Sequence, residues 1–489
     1  MKKKLSVLAK TAYGVGQLAE GLKNSSFELF VFFYYNQVLG LSGTLTGLAT
    51  LIALGFDSVT DPMTGSISDS FRHRWGRRHP FIYAAAVPLG VAFALLFRPP
   101  AGMGDVGLFL WLAVFSVLTR TAMTVYHVPH LALGAELSDD YRERTTIVAY
   151  RTLFQVIGAA IAAIVGLGVF FAATPQYPSG QLNPAAYPPY AVFCGVVMVF
   201  TVIASAAGTH RRIPLLRQPD HEPEPFSLGR VWGELGEALS NESFRALFVG
   251  IVIFFVMRGV QTSLGLHMVT YFWGLTTKEI LGINMILIAG LIVGVPFWTI
   301  VARGLDKKPT FLLGVGCFTL FNSAPPLLRI AGWFPQHIAP EYVPLLLALG
   351  FLAAFGGAAG LVTAGSMMAD IADEHELRTG RRQEGIFFGA LAFAGKSASG
   401  FGHQIAGLGI DAIGFPTHAV PGQVPHEVID RLGILFGPGI AIFAVIAIFV
   451  IARYRLDRSA HQRIVEKLEA RREAALVSRR ATRGVASAS

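Results

Sequence analysis

The sequence predicts an all-α membrane protein, and three observations lead to that fold class. The 489 residues are 53% hydrophobic and only 15% charged, whereas ordinary soluble proteins carry about a quarter charged residues. The mean hydropathy is +0.53. Apolar windows long enough to cross a hydrocarbon core of roughly 30 Å recur along nearly the whole chain, for example at 81–97 and 434–451.

Twelve transmembrane helices are predicted. They lie near 13–39, 44–70, 81–98, 106–136, 146–172, 190–208, 244–273, 280–302, 309–330, 341–372, 384–410 and 434–453. The N-terminus "MKKKLSVLAK" is basic, but no small-residue cleavage site follows, so the first apolar stretch is expected to stay as a span rather than act as a signal peptide. The only two cysteines, Cys194 and Cys317, fall in separate spans and therefore form neither a disulfide framework nor a metal-type pair.

The links between the predicted helices differ in charge. "FRHRWGRRH", "HRRIPLLRQ", "RGLDKK", "RTGRR" and the tail from "RYRLDR" are basic, whereas 173–189 contains no Lys or Arg. The positive-inside rule then places both termini and the basic links in the cytoplasm of an inner or plasma membrane protein. The net charge of +9 is explained by loops facing an anionic leaflet, so no nucleic-acid partner is expected.

The segment 209–243, with "PDHEPEPF", is the only long polar segment in the middle of the chain. It predicts an N-terminal six-helix half (1–208), a central cytoplasmic linker (209–243), a C-terminal six-helix half (244–453) and a basic cytoplasmic tail (454–489). The tail is interpreted either as a helix against the leaflet or as a disordered segment. The link after the fourth predicted helix, "AELSDDYRERTTIVAYR", resembles that after the tenth, "ADIADEHELRTGRRQEG". Two related halves are typical of transporters that rock about a central site.

Two aspartates, Asp57 and Asp61, lie one turn apart on the second predicted helix. Each costs about 2.5 to 3.5 kcal/mol in mid-membrane, so the pair must be compensated by cations or water. With the Thr60 hydroxyl beside them, they predict an oxygen-rich site for Na⁺ or for a proton. The alternative is a structural ion pair with a basic residue of another helix, for which Arg120, Arg151 and Lys396 are the candidates.

Further polar residues predict a polar centre between the two halves. They are Glu20, Lys23, Asn24 and Glu28 on the first predicted helix, Arg120, Thr124 and His127 on the fourth, Arg151 and Gln155 on the fifth, and Lys396 and His403 on the eleventh. Glu20 and Lys23 either contact a solute or simply neutralise each other.

Common catalytic motifs are absent from the sequence. It contains no His-Glu-x-x-His, Gly-x-Ser-x-Gly or Walker-type motif. The chain is therefore not expected to be an enzyme or an ATP-driven pump, and transport energy must come from an ion gradient or from the solute's own gradient.

Several motifs together resemble the glycoside–pentoside–hexuronide cation symporters, a branch of the major facilitator superfamily whose best-known members carry melibiose. They are "GFDSVTDPMTG", "RWGRRHPF", "YHVPHLALGAEL", "ERTTIVAYR" and "ADIADEHELRTGRRQEGIFF". The resemblance implies the major facilitator fold, a cation site at Asp57, Thr60 and Asp61 closed by Thr124, and solute binding by Arg151 and Lys396. It implies no cofactor beyond the coupling cation.

The chain departs from the sugar carriers of that family at two positions. Where those members place aspartates, this chain has Gly21, with Glu20 adjacent, and His127. "YHVPHLAL" and "GIFFGALAFAGKSASG" also resemble the lysophospholipid symporters. The expected function is cation-coupled symport of a sugar or glycoside; the alternatives are symport of a lysophospholipid or other amphipathic solute and, from another class, an ion-independent facilitator or lipid scramblase.

The site prediction has two further parts. The expected solute-binding residues are Glu20, Lys23, Asn24, His127, Arg151 and Lys396. A cytoplasmic gate is expected at Asp69, Arg77, Arg78, Asp370 and Asp373. The expected partners are a small-molecule solute, the coupling cation and the lipid bilayer, and the protein is expected to be a monomer.

Overall fold

Helices make up most of the described chain. The computed structural model describes residues 5–138, 140–215, 238–380 and 384–486, together with Gly229, Gly233 and Gly236. The predicted central linker, 209–243, lies largely outside these residues, as do 381–383 and the last three residues of the tail.

The described residues of the first half form six long helical segments. They are α1 (Val7–Val15 and Gln17–Ser26, continued by π-helical turns Phe27–Val31 and Tyr34–Val38), α2 (Gly43–Ser70), α3 (His79–Leu96), α4 (Asp105–Glu136), α5 (Tyr141–Val165, continued by a π-helical turn Gly166–Phe170) and α6 (Tyr187–His210).

The described residues of the second half form six more long segments, and the tail helix follows them. They are α7 (Glu242–His267, continued by a π-helical turn Met268–Phe272), α8 (Thr277–Leu305), α9 (Lys307–Ile330), α10 (Tyr342–Thr379), α11 (Glu384–Ala412), α12 (His426–Phe436 and Pro438–Ile451) and α13 (Arg458–Ala486).

Ten of these segments are long and apolar enough to cross a membrane within the described residues. The other two predicted spans, α1 and α11, are also helical. The helix boundaries differ from the prediction mainly at two places: α10 continues past 372 to Thr379, and α12 begins at His426 rather than near 434. In both places the extra turns carry charged residues, which are compatible with a helix that extends beyond the hydrocarbon core into water.

Local sequence explains where several helices start and stop. The side chains of Ser42, Asp140, Asn241 and Thr276 accept hydrogen bonds from N–H groups in the first turns of α2, α5, α7 and α8. These bonds satisfy donors that have no partner within the helix. Gly380 ends α10 in the left-handed conformation, with φ of 73°, which glycine adopts without steric cost.

The tail helix α13 is docked on the protein. The Arg458 N–H donates to Asp306 Oδ2 at 3.0 Å, and His461 Nε2 lies 3.0 Å from Asp373 Oδ2. Leu468 is only 5% exposed. The tail is therefore helical, and its Leu468 is covered by protein and does not face the leaflet.

The two halves meet along α2 and α11, which approach closely at glycines. A Cβ atom on Gly47 would lie 2.7 Å from the carbonyl oxygen of His403, and one on Gly407 would lie 2.1 Å from that of Gly43. Further along, Ser58 Oγ lies 3.0 Å from Ser397 Oγ. Small residues permit this backbone contact, as is usual between membrane helices.

The two ends of the helix bundle are named here by their connections. The linker face carries the loops 71–78 and 137–140, the central linker and α13. The far face carries the loops 39–42, 97–104, 171–186, 273–276, 331–341 and 413–425.

Candidate cation and solute site

Asp57 and Asp61 lie at the centre of a compact cluster between α2, α4 and α11. Lys396 Nζ is 3.1 Å from Asp57 Oδ2 and also forms an ion pair with Asp61. Arg120 Nη1 donates to the same Asp57 oxygen at 3.1 Å. The hydroxyl of Thr124 lies 2.9 Å from Asp57 Oδ1 and 2.7 Å from Asp61 Oδ1. Since a hydroxyl carries one proton, Thr124 donates to one carboxylate at a time.

Burial distinguishes the two basic residues of the cluster. The side chain of Arg120 is 12% exposed, and its guanidinium lies 4.9 Å from the ring centroid of Phe27. The side chain of Lys396 is 37% exposed, and that of its partner Asp61 is 29% exposed, whereas Asp57 is almost fully covered. Two carboxylates and two cations neutralise one another here, and Lys396 is the cation with room to leave.

The hydroxyl of Thr60 is bonded within its own helix. It donates to the backbone carbonyl of Asp57 at 3.3 Å, as threonines in helices commonly do. Within the described contacts, the hydroxyl that joins the two carboxylates belongs to Thr124.

The polar residues of α1 form a second buried group. Asn24 Nδ2 donates to Glu20 Oε1 at 2.7 Å, and Lys23 Nζ lies 3.8 Å from Glu20 Oε2. Lys23 is 4% exposed and Glu20 8% exposed. The self-neutralising pair considered from the sequence is therefore present, and Glu20 Oε2 makes no hydrogen bond among the described residues.

Gly21 has a structural reason to be glycine. A Cβ atom at this position would lie 2.0 Å from the carbonyl oxygen of Gln155 on α5 and 2.9 Å from the N of Ala159. Because backbone atoms cannot yield as a flexible side chain would, no aspartate fits here without moving α1 away from α5. The carboxylate next to this position is supplied by Glu20.

The two remaining expected solute-binding residues, Arg151 and His127, occupy different positions. Arg151 lies beside Tyr13, which places it about two turns of α1 nearer to the linker face than Glu20. His127 lies one turn beyond Thr124 on α4, in contact with the ring of Tyr126, and is partly buried. Arg151 thus lies nearer to the linker face, whereas His127 lies near the charges of Glu20 and Lys396.

The expected gate residues of the first half are joined at the linker face. Arg78 forms an ion pair with Asp69 and donates to Ser68 Oγ at 2.7 Å. Arg77 and Arg78 both bind Glu136, at 2.8 and 2.9 Å. The sequence prediction missed Glu136, although it stands in "AELSDD" where the related segment of the second half has Asp370.

The second half carries a matching arrangement. Lys307 Nζ donates to both oxygens of Asp370 at 2.7 Å, and His461 of the tail lies 3.4 Å from Asp370 and 3.0 Å from Asp373. Lys307 and His461 were not predicted. Basic residues follow both α2, in "FRHRWGRRH", and α8, in "RGLDKK", and this common pattern was the signal for the lysine.

The far face is closed by hydrogen bonds between the two halves. Asp411 accepts bonds from the N–H groups of Gly43 and Thr44 at 2.8 and 2.7 Å. Gln37 accepts from the Tyr271 hydroxyl at 3.0 Å, and its Nε2 donates to the carbonyl of Pro416 at 3.2 Å. At the linker face, in contrast, the ion pairs that are described stay within their own half.

Comparison with known proteins decides the family. Residues 12–458 match the profile of "MFS/sugar transport protein", which covers most of the chain. The chain belongs to this family. Its members are major facilitator transporters and not enzymes, and they need no cofactor. The resemblance stated from the motifs is confirmed.

Three relatives cover nearly the full length. The chain is 24% identical to an uncharacterised symporter of Synechocystis (96% of this chain, 98% of the relative). It is 25% identical to the sodium-dependent lysophosphatidylcholine symporter 1 of Gallus gallus (96% and 91%). It is 24% identical to the isoprimeverose transporter of Lactiplantibacillus pentosus (91% and 88%).

Solved structures share the fold. A bacterial homologue of the human lysosomal transporter Spinster superposes with a TM-score of 0.63 at 11% identity (94% of this chain, 97% of that chain). A mutant form of the nucleoside transporter NupG superposes with 0.61 at 12% identity (92% and 100%). The predicted fold class is confirmed: this is an integral membrane protein with the major facilitator fold.

Proposed function

We propose that this transporter is a symporter that moves a sugar or glycoside together with Na⁺ or H⁺. Asp57, Asp61 and Thr124 bind the coupling cation, with Thr60 at the edge of the site. The observation that carries the proposal is the pair of carboxylates bridged by one hydroxyl and held by a lysine that is only partly buried. A facilitator that moved no ion would gain nothing from so costly a group of charges.

Lys396 is the residue that links the cation to the solute. Carboxylate and hydroxyl oxygens suit a hard cation such as Na⁺, and an ammonium group on the same oxygens competes with that cation. When the cation enters, Lys396 leaves Asp57 and Asp61 and turns to the solute. Each ligand then raises the affinity of the other, as reciprocal coupling requires.

The solute is proposed to bind between the halves, in a central path beside the carboxylate cluster. Glu20, Lys23, Asn24, His127 and Arg151, together with Lys396, supply charged and hydrogen-bonding groups suited to hydroxyls. The isoprimeverose transporter among the relatives supports a sugar, and the lysophosphatidylcholine symporter keeps an amphipathic solute as the alternative.

The transport cycle is proposed to be alternating access. Two observations fit a state that is open to the linker face. Gln37 and Asp411 form hydrogen bonds between the halves at the far face, and Asp61 and Lys396 are partly exposed. With the basic loops in the cytoplasm, this state is inward-facing. The halves 1–208 and 244–453 of a monomer move about the carboxylate cluster. The cytoplasmic gate is formed by two groups of ion pairs. One contains Asp69, Arg77 and Arg78, and the other contains Asp370 and Asp373.

The test is gradient-driven uptake in proteoliposomes. Candidate sugars and lysolipids are screened with purified protein, with and without Na⁺ and at several pH values, and the solute that binds is then used for transport. Asp57→Asn and Asp61→Asn should abolish accumulation against the solute gradient while the protein remains folded and inserted, because the amide keeps the shape but lacks the charge. Cation-driven accumulation that is unchanged in both variants would refute the proposed ion site.

A further inference from the structure

A cavity in the second half lies beside the proposed solute path. It has a volume of about 260 Å³ and is lined mainly by α7, α8, α9 and α10, with Phe436 of α12 in its wall and Glu28 of α1 at its entrance. An engineered apolar cavity of about 150 Å³ takes one benzene ring. The cavity therefore has room for an apolar group larger than a single ring.

The entrance of the cavity is polar and joins the two halves. Arg258 Nη2 lies 3.6 Å from Glu28 Oε2, and Arg258 Nη1 donates to Gln261 Oε1 at 3.0 Å. Gln261 then donates to Asn322 Oδ1 at 2.9 Å. The side chains of Glu28 and Arg258 are 51% and 45% exposed. Charges at this depth must face water rather than lipid, so the entrance opens to the central path.

The depth of the cavity is apolar. Its wall includes Leu266, Trp273, Ile280 and Leu346, all less than a tenth exposed. Asn284 also belongs to the wall, but it donates to the backbone carbonyl of Ile280 at 2.9 Å. The groups able to bind a polar solute are thus concentrated at the entrance, and the interior offers apolar surface.

The entrance is also connected to the carboxylate cluster. Arg120, which binds Asp57, stacks on Phe27, the residue before Glu28. On the other side, a Cβ atom on Gly259, next to Arg258, would lie 2.2 Å from the carbonyl of Ser399 on α11. A solute at the entrance therefore adjoins the helices that carry the proposed cation site.

We propose that this cavity is a subsite for the apolar group of an amphipathic solute. The polar head lies at Arg258, Gln261 and Asn322 and extends to the central path, while an aryl or alkyl group fills the space behind. This inference rests on the proposed function and narrows its solute class: the preferred solute is a sugar or other hydrogen-bonding head that carries an apolar substituent.

Two glycines of the cavity wall have room for a Cβ atom and are suited to variants that fill the cavity. Gly265 lines it, and a Cβ atom there would have no heavy atom within 4 Å. Gly350 lines it from α10, and its Cβ would meet side chains at 3.7 Å or more. Gly265→Leu and Gly350→Leu thus add bulk to the subsite independently. Gly316→Leu is the matched control, because its Cβ also meets nothing within 4 Å and Gly316 does not line the cavity.

The experiment measures binding of methyl and phenyl glycosides of glucose, galactose and xylose to the purified full-length protein in saturating Na⁺ at low pH and at neutral pH. In the wild type we expect the phenyl glycoside of the recognised sugar to bind roughly tenfold more tightly than its methyl counterpart, or more, because of the buried apolar area. In Gly265→Leu and Gly350→Leu this preference should disappear while binding of the methyl glycoside persists, and Gly316→Leu should behave as the wild type.

The outcomes separate this inference from the proposed function. Equal binding of both glycosides by the wild type, or a phenyl preference that survives in both filled variants, would overturn the subsite but leave the symporter proposal standing. Lysophosphatidylcholine is the second probe. If it displaces the phenyl glycoside from the wild type but not from Gly265→Leu, a lipid is identified as a source of the apolar group. If no probe binds with or without cation, the proposed solute class fails and the subsite fails with it.

Discussion

Replacing Lys396 with glutamine should raise the affinity of the protein for its coupling cation. In the structure the ammonium group occupies the two carboxylates that are proposed to receive that cation, at 3.1 Å from Asp57 and paired with Asp61. Cation binding must therefore displace it. Glutamine keeps much of the length of the side chain but not its charge, so the competition disappears.

The size of the effect follows from the geometry. Two unit charges 3.1 Å apart attract by about 5 kcal/mol at an effective dielectric constant of about 20. The lysine side chain is 37% exposed, so water recovers much of this energy when the ion pair opens. A hydrogen bond to a charged group contributes about 1.5 to 3 kcal/mol net. At about 1.4 kcal/mol per factor of ten, cation affinity should rise about 10- to 100-fold.

The assay is a cation titration of purified protein. Intrinsic tryptophan fluorescence or calorimetry records Na⁺ binding at several pH values, in the wild type and in Lys396→Gln. Lys278→Gln is the matched control, because Lys278 is exposed at the start of α8 and its replacement should leave cation affinity unchanged.

The same variant tests the coupling. In the wild type, solute affinity should increase with cation concentration, whereas in Lys396→Gln this dependence should flatten because the lysine that carries it is absent. Cation affinity that stays constant or falls in Lys396→Gln, together with an unchanged cation dependence of solute binding, would show that Lys396 is a structural pair between the halves and has no part in coupling.

Two further variants test the architecture around the site. Gly21→Asp should lower the melting temperature of detergent-purified protein, because its Cβ would meet the Gln155 carbonyl and overpacking costs about 1 to 3 kcal/mol. Gly55→Ala is the control, because its Cβ meets nothing within 4 Å. Equal melting temperatures of the two variants would argue against the close contact at Gly21. Truncation after Arg458 should leave uptake within about twofold of the full chain, since the removed His461 is a partly exposed ion-pair partner of the kind that contributes about 0 to 1 kcal/mol; loss of uptake by correctly inserted protein would show that the tail helix is needed for transport.

The sequence predicted the helices well because the membrane imposes a strong rule. Each backbone polar group must be satisfied within the hydrocarbon core, so long apolar segments become helices. The errors occur where this rule ends. α10 continues to Thr379 and α12 starts at His426, since charged residues beyond the core neither require nor forbid a helix.

The sequence also predicted that Asp57 and Asp61 need partners, because bare charges are costly in a membrane. It named Arg120, Arg151 and Lys396 as candidates. Only the packing of α2 against α4 and α11 selects among them: Arg120 and Lys396 reach the carboxylates, whereas Arg151 lies beside Tyr13.

The limits of local pattern are clearest at Thr60 and Thr124. Both were assigned to the cation site, and adjacency in sequence favoured Thr60. The Thr60 hydroxyl donates to its own helix, while the Thr124 hydroxyl reaches both carboxylates from α4. Helical periodicity determines which residues of one helix share a face, but it carries no information on which face of another helix lies opposite.

The sequence by itself determined the membrane class, the repeated halves and the buried charges that any fold of this chain must neutralise. The tertiary structure alone decided which charges neutralise which, why Gly21 excludes a side chain, and that Arg258, Gln261 and Asn322 line the entrance of one cavity. The physical reason is the distance along the chain over which each property is set. Hydropathy and helix formation depend on neighbours along the chain, whereas ion pairs and cavities depend on distances of a few ångströms between helices far apart in sequence.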